Sequence, residues 1–96
     1  MATRRSPIAL KNLLKAEGFK YVYAWTDTPN TLYPEHRHRG KVSFFVTKGN
    51  IVMIVRKKRR ELKTGDRMDV PVGVQHYALV GSRVCSFIVG QQYKGD

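Results

Sequence analysis

The sequence predicts an all-β fold, a small antiparallel β-barrel of jelly-roll type with a short N-terminal helix. Short runs of β-branched and aromatic residues follow one another through most of the chain. Glycine, proline and asparagine separate these runs at intervals of roughly 8–12 residues, a spacing typical of barrels and sandwiches. The length of 96 residues suits one domain with a single core. We therefore expect a helical segment over residues 1–18 and a barrel over residues 19–93.

The N-terminal helix is predicted from the residues at its two ends. Ser6 can cap the first turn, Pro7 suits the first helical position, and Gly18 suits the end of the helix. Three leucines share one side of this helix: Leu10, Leu13 and Leu14. We expect that side to pack against the barrel wall; the alternative is a helix that binds a partner.

The strands are predicted from apolar runs between turn residues, taken in chain order. The first is aromatic and covers residues 20–25, and a loop follows at residues 26–30. Strands at residues 41–46 and 51–55 are joined by a turn that contains Gly49, and glycine tolerates the positive φ of a tight hairpin. Further strands are expected at residues 61–63, 67–70, 77–80 and 83–89, followed by a loosely paired tail at residues 90–96.

The three histidines of the chain fall in two short segments. His36 and His38 lie two residues apart, just before the strand at residues 41–46, and His76 ends the segment at residues 65–76. On an extended backbone, side chains two apart share one face at about 6.6 Å. Both rings of the pair can therefore reach one divalent ion, whose bonds to histidine nitrogen are about 2.0–2.1 Å long.

Both histidine segments resemble the motifs of the cupin family. The second cupin motif places two glycines, a proline and a histidine at fixed offsets, and it is matched at Gly65, Pro71, Gly73 and His76. The first motif has the form His-x-His with a later glycine, and it is matched at His36, His38 and Gly49. The resemblance extends over about residues 21–91.

Three features depart from the cupin pattern, and the first is that the opening glycine of the first motif is missing, with Asn30 and Thr31 in its place. Val42 stands where the first motif carries a glutamate, and Val80 stands where an asparagine follows the third histidine. The resemblance implies that His36, His38 and His76 are metal ligands, with no carboxylate among them. Three neutral imidazoles with open coordination positions suit a divalent transition metal: iron, zinc, nickel, copper or manganese.

The open coordination positions favour a metal-dependent enzyme, an oxygenase or isomerase, and the net charge of +11 favours a small anionic metabolite as its substrate. A second interpretation is a non-catalytic module that binds a small metabolite or a metal and regulates a partner. The alternative for the histidines themselves is a degenerate cupin that keeps them for packing and hydrogen bonding. The candidate pocket residues are aromatic or apolar: Tyr33, Phe44, Met53 and Tyr77. The candidates for attracting an anion are three arginines: Arg37, Arg39 and Arg67. The family resemblance also implies a homodimer.

The formal net charge of +11 favours anionic partners. Part of that charge lies in one basic run between two predicted strands, made of Arg56, Lys57, Lys58, Arg59 and Arg60. A solvated hairpin tip is one interpretation of this run. The other is a nucleic-acid contact or a nuclear-localisation patch, which gives a third function class, a basic polyanion-binding protein on a degenerate cupin scaffold.

Neither a membrane protein nor a secreted one is indicated. The longest apolar run, residues 51–55, is far shorter than the ~20 residues that span a bilayer, and no apolar core follows the basic N-terminus. The single cysteine, Cys85, cannot form an internal disulfide, which is typical of reducing compartments. We therefore expect a cytoplasmic protein, with a nuclear location as the alternative if the basic run acts as a localisation signal.

Overall fold

Two four-stranded sheets and one helix make up the computed structural model, which describes residues 5–96. The elements in chain order are α1 (Pro7–Ala16), β1 (Tyr21–Asp27), β2 (Leu32–His36), β3 (Val42–Lys48), β4 (Asn50–Val55), β5 (Lys58–Lys63), β6 (Arg67–Val70), β7 (His76–Val80) and β8 (Cys85–Gln91). Sheet A has the strand order β1-β8-β3-β6, and sheet B has the order β2-β7-β4-β5. All the pairings are antiparallel.

This arrangement is a jelly roll, so the predicted fold class is confirmed. Over residues 5–96, the β4–β5 hairpin alone joins two strands of the same sheet, and every other connection passes from one sheet to the other. The structure differs from a closed barrel, because no backbone ladder joins sheet A to sheet B among the described residues. The two sheets therefore face each other as a sandwich that is open at its edges.

The main core lies between the two sheets. Buried and exposed residues alternate along β7, with Tyr77 and Leu79 on the exposed face, as the two-residue period of a strand requires. The inward side chains of both sheets form one apolar cluster, in which Cys85 is fully buried. Burial is the main cause that raises the pKa of the Cys85 thiol to about 11. The cysteine is thus an unreactive part of the core.

The helix α1 covers the outer face of sheet A. Its first turn is capped as predicted, since the Ser6 hydroxyl accepts a hydrogen bond of 3.2 Å from the backbone N–H of Ala9. Gly18 follows the helix with φ of 97°, a conformation that glycine adopts without strain. A second apolar cluster joins the helix to the sheet, and its buried members are Leu10, Leu14, Phe19, Phe45 and Ile88. The predicted packing against the sheet wall is confirmed. No helix of the described chain is long and apolar enough to cross a membrane.

Strand β2 is absent from the predicted strands. It contains Pro34, which has no N–H to donate to a ladder, and its register against β7 shifts between Tyr33 and His36. Proline is tolerated here because β2 is an edge strand of sheet B. Because Pro34 interrupts the residue pattern typical of a strand, the sequence did not predict β2, which carries His36.

Two other predicted segments need correction. The basic run is not only a hairpin tip: Arg56 and Lys57 form the turn, and the remaining three residues begin β5. The tail is not loosely paired, because β8 extends to Gln91 and Asp96 bonds to the loop after β2. Strand β5 is favoured by a full antiparallel register with β4, which overrides the low strand preference of its lysines and arginines.

Candidate metal centre

The three histidines converge at one end of the space between the sheets. His36 ends β2 and is paired directly with His76, the first residue of β7, while His38 lies in the loop that follows β2. The ring centroids are 4.9 Å apart for His36 and His38, 4.3 Å for His36 and His76, and 5.0 Å for His38 and His76. One ring nitrogen from each histidine lies within 4.8 Å of the other two. His36 and His76, 40 positions apart in sequence, thus form one compact cluster of ligand nitrogens with His38.

Two of these rings have a fixed orientation. The Nδ1 atom of His36 lies 2.7 Å from the carbonyl oxygen of Pro34, and the Nδ1 atom of His76 lies 3.0 Å from the carbonyl oxygen of Val74. A carbonyl oxygen only accepts, so each Nδ1 carries the proton and donates it. The Nε2 atom of each neutral ring then has a free lone pair, which is the form that binds a metal ion.

Burial keeps two of the rings neutral. It is the largest cause that lowers the pKa of both His38 and His76, and the charge of neighbouring histidines lowers it further. The hydrogen bond to Val74 works in the opposite direction at His76 without overcoming burial. Both imidazoles are therefore unprotonated at neutral pH, as metal ligands must be.

A cavity of about 990 Å³ extends from the histidines into the sandwich. In sheet B, the row next to His36 and His76 consists of Tyr33, Ala78 and Met53, three residues paired across the strands. All three line the cavity, together with Phe44 and Val42 from sheet A. The cavity is thus polar at the histidine end and apolar or aromatic beyond it, and three of the four predicted pocket residues lie on its wall.

Tyr77 does not line this cavity. It follows the inward-facing His76, so the alternation of the strand turns it to the outer face of sheet B, where 42% of it is exposed. Its placement corrects the prediction that it belongs to the pocket. Trp25, in contrast, lies on the cavity wall.

A buried carboxylate orients two aromatic side chains of the cavity wall. Asp27 is only 7% exposed; it accepts a hydrogen bond of 2.8 Å from the indole N–H of Trp25 and another from the hydroxyl of Tyr33. Asp27 and Trp25 belong to β1 of sheet A, and Tyr33 belongs to β2 of sheet B. The bond to Tyr33 therefore joins the two sheets at the edge that β1 and β2 form. Burial, followed by this hydrogen bond, raises the pKa of Tyr33 well above its ordinary value. The sequence placed Asp27 in a loop and gave no signal for this bridge.

The three candidate arginines occupy different places. Arg37 and Arg39 are exposed on either side of His38, and the guanidinium of Arg39 lies 4.9 Å from the ring centroid of Tyr93. Arg67 is directed away from the cavity, because its neighbour Met68 is the inward residue of β6.

Arg67 forms a structural ion pair instead. Its two terminal nitrogens donate to the carboxylate of Glu17 at 2.8 and 2.5 Å, and its Nε donates to the hydroxyl of Ser43 at 2.8 Å. These bonds fasten the end of α1 to sheet A. The prediction that Arg67 attracts an anion to the pocket is corrected by this arrangement.

The basic run projects at the histidine end of sheet B. His36 pairs with His76, His76 with Val55, and Val55 with Lys58, so these four residues form one row across the sheet. The turn that follows Val55 therefore extends beyond that row, on the side of the histidines. Its charge can raise the local concentration of anions near the cavity.

Solved structures of cupin proteins share this fold. A cupin-2 domain containing protein from Shewanella frigidimarina is 19% identical with a TM-score of 0.62, over 71% of this chain and 65% of that one. A cupin-like protein from Thermotoga maritima is 27% identical with a TM-score of 0.63, over 74% and 56%. The DMSP lyase DddQ from Ruegeria pomeroyi is 19% identical with a TM-score of 0.64, over 78% and 39%. The chain thus spans less than two thirds of the length of each.

The sequence itself also matches a family profile. No match was found among curated proteins. The profile of the Cupin domain family, however, matches residues 24–89, which include all three histidines and most of both sheets. The chain belongs to the cupin domain family.

Proposed function

We propose that this chain is a metal-binding cupin protein in which His36, His38 and His76 hold one divalent transition-metal ion. The observation that carries the proposal is the convergence of three ring nitrogens within 4.8 Å. Two of the rings have their Nδ1 atoms committed to backbone carbonyls, which leaves their Nε2 atoms for a metal. A set of imidazole nitrogens suits zinc, iron, nickel or copper better than magnesium or calcium, which prefer oxygen ligands.

The absence of a carboxylate ligand fits an open site. Val42 is only 6% exposed and lines the cavity, and its side chain has no atom that can bind a metal. Three protein ligands leave coordination positions for water or a substrate, as in catalytic metal sites. A bound ion would supply Lewis-acid polarisation of a substrate oxygen. The apolar rows beyond the histidines would exclude water from the rest of the bound molecule.

The ligand that best fits this cavity is a small organic anion with an apolar body. Its charged group would lie at the histidine end, and Lys20 and Lys94 are among the residues that line the cavity. Its body would contact aromatic and aliphatic side chains such as Tyr33, Phe44 and Met53. An oxygenase or isomerase reaction is the enzymatic form of this proposal, and ligand binding without turnover is its non-catalytic form.

Titration of metal-free protein with Co²⁺ tests the metal proposal, because Co²⁺ bound by histidine gives visible absorption bands. We expect saturation at one ion per chain in the wild type and no saturable signal in His36→Ala or His76→Gln. Tyr77→Ala is the matched control, because it changes the residue next to His76 on the outer face of the same strand. Unchanged titration curves in both histidine variants would refute the proposal.

A second candidate function, polyanion binding, is favoured by the basic hairpin. All five basic residues of the run are exposed, and its two turn residues have left-handed φ angles, 51° at Arg56 and 65° at Lys57. Such angles are uncommon for residues other than glycine and asparagine, so the turn keeps its charges in spite of a conformational cost.

Salt-dependent binding to single-stranded and double-stranded nucleic acid tests this candidate. We expect Lys57→Glu/Lys58→Glu to weaken binding and to flatten its salt dependence. The control variant Lys48→Glu/Arg83→Glu makes the same change of charge at two exposed positions away from the hairpin. Equal affinity of both variants would assign any binding to the overall charge rather than to the hairpin.

A further inference from the structure

We infer that Asp96 is a positioning residue for His38, whose ring it holds with Nε2 available to the metal. The inference rests on the metal site proposed above and adds a residue that lies outside both cupin motifs. It also returns a carboxylate to a site in which Val42 has replaced the expected glutamate. The carboxylate acts through the ring of His38 and does not belong to the cluster of ligand atoms.

The carboxylate of Asp96 is held in one orientation by the backbone. Its Oδ1 accepts a hydrogen bond of 3.0 Å from the N–H of Arg39, and its Oδ2 accepts one of 3.0 Å from the N–H of Gly40. The Nε2 of Gln91 donates to the main-chain oxygen of Asp96 at 2.7 Å. The side chain of Asp96 is 5% exposed. Bonds to both oxygens fix the plane of the carboxylate, so it can serve as a rigid acceptor.

His38 is the one ring of the three with no backbone acceptor among the described residues. Its Nδ1 is buried and has no hydrogen-bond partner, and the Oδ1 of Asp96 lies 3.6 Å away. A closer approach of roughly half an ångström would bring this pair into the hydrogen-bond range of about 2.7–3.2 Å. With that bond, the Nδ1 atom of every histidine would donate to an oxygen. The acceptor is a backbone carbonyl for His36 and His76 and the carboxylate of Asp96 for His38.

A carboxylate behind a ligating histidine has a chemical consequence beyond orientation. It fixes the tautomer of the ring and raises its basicity, which strengthens the bond between Nε2 and the metal. Loss of such a partner typically costs about 10–100-fold in metal affinity. His38 is the ligand that most needs this support, because it lies in a loop whereas His36 and His76 lie on paired strands.

The segment that carries Asp96 is packed around the loop of His38. The ring of Tyr93 lies under the guanidinium of Arg39, and the backbone of Gly40 approaches the same ring. A Cβ atom on Gly40 would lie 2.8 Å from two ring carbons of Tyr93, so a larger residue at this position would displace that ring. These contacts pack the segment against the loop of His38 and keep the carboxylate of Asp96 next to that ring.

Two measurements on Asp96→Ala and Asp96→Asn test the inference. The first is the ¹⁵N chemical shifts of the histidine rings in metal-free protein, which report the tautomer. We expect Nδ1–H at His38 in the wild type and loss of that preference in Asp96→Ala, with His36 and His76 unchanged. The second is Zn²⁺ affinity by competition with a chelator, which we expect to fall about 10–100-fold in Asp96→Ala. Asp96→Asn keeps an oxygen for a backbone N–H, so it should remain folded and show a smaller loss.

Asp66→Ala is the matched control, because Asp66 also accepts a backbone N–H, that of Lys63 at 2.8 Å, but does not line the cavity. It should leave both readouts at their wild-type values. Unchanged His38 shifts and unchanged Zn²⁺ affinity in both Asp96 variants would overturn the inference. If the wild type itself binds no Zn²⁺, the proposed metal function fails, and the ring shifts still decide whether Asp96 positions His38.

Discussion

Replacement of Val42 by glutamate restores the residue type that the first cupin motif carries at this position. Val42 is 6% exposed and lines the cavity that also contains the histidines. Without metal, the variant loses about 1.5–3 kcal/mol of apolar burial. It also brings a carboxylate into a largely apolar wall, so we expect the metal-free protein to be destabilised by at least this amount. For a domain of this size, each 1 kcal/mol lowers the melting temperature by roughly 4–8 °C.

The effect on metal binding has the opposite sign. Two unit charges about 4 Å apart attract by about 4 kcal/mol at an effective dielectric constant of about 20, so a divalent ion doubles this to about 8 kcal/mol. Desolvation of the carboxylate removes several kcal/mol of that gain. The surplus should exceed about 1.4 kcal/mol, which corresponds to tenfold tighter binding.

Thermal unfolding with and without Zn²⁺, together with chelator competition, measures both effects. Val42→Gln is the matched control, since it introduces a side chain of similar size without a charge. We expect Val42→Glu to melt below the wild type without metal, and to gain more from Zn²⁺ than either the wild type or Val42→Gln. A folded Val42→Glu protein that binds Zn²⁺ no more tightly than Val42→Gln would refute the placement of Val42 beside a metal site.

Three further predictions concern stability. Because burial lowers the pKa of His38 and His76, the unfolded chain binds more protons below about pH 6.5, so metal-free protein should lose stability as pH falls from 6.5 to 5; equal urea midpoints at pH 7.5 and pH 5.5 would contradict this. Arg67→Met should cost about 1 kcal/mol in urea unfolding through loss of its partly exposed ion pair, and an unchanged midpoint would make that pair irrelevant to stability. Arg56→Asn/Lys57→Gly should raise the melting temperature by relieving two left-handed residues, a gain of about 1 kcal/mol, and a lower melting temperature would show that the turn is not strained.

The parts of the fold that depend on local signals could be predicted from the sequence. Ser6 and Pro7 marked the start of α1, and Gly49 marked the turn between β3 and β4, because caps and turns need particular residue types at single positions. The fixed spacing of the two motifs likewise indicated the three histidines that the fold brings together. The alternation within strands, applied from His76 and Met68, would also have placed Tyr77 and Arg67 on outer faces.

The remaining parts of the site depend on how the strands are arranged in the two sheets. Asp96 bonds to Arg39 across 57 positions, and no local pattern in either segment indicates that they meet. Asp27 bonds to Tyr33 because β1 and β2 are edge strands of different sheets that face each other on the same side of the sandwich. Such pairings follow from sheet topology, which a single sequence specifies only indirectly through its hydrophobic pattern.

The most direct test of the proposed metal site is elemental analysis of the purified, untagged protein before and after reconstitution with transition metals. The wild type and the His36→Ala/His38→Ala double variant should be compared with the outer-face control Tyr77→Ala. We predict close to one equivalent of a transition metal in the wild type and the control, and a loss of that metal in the double variant. A wild type that takes up no metal on reconstitution, or a double variant that retains the metal, would contradict the three-histidine site.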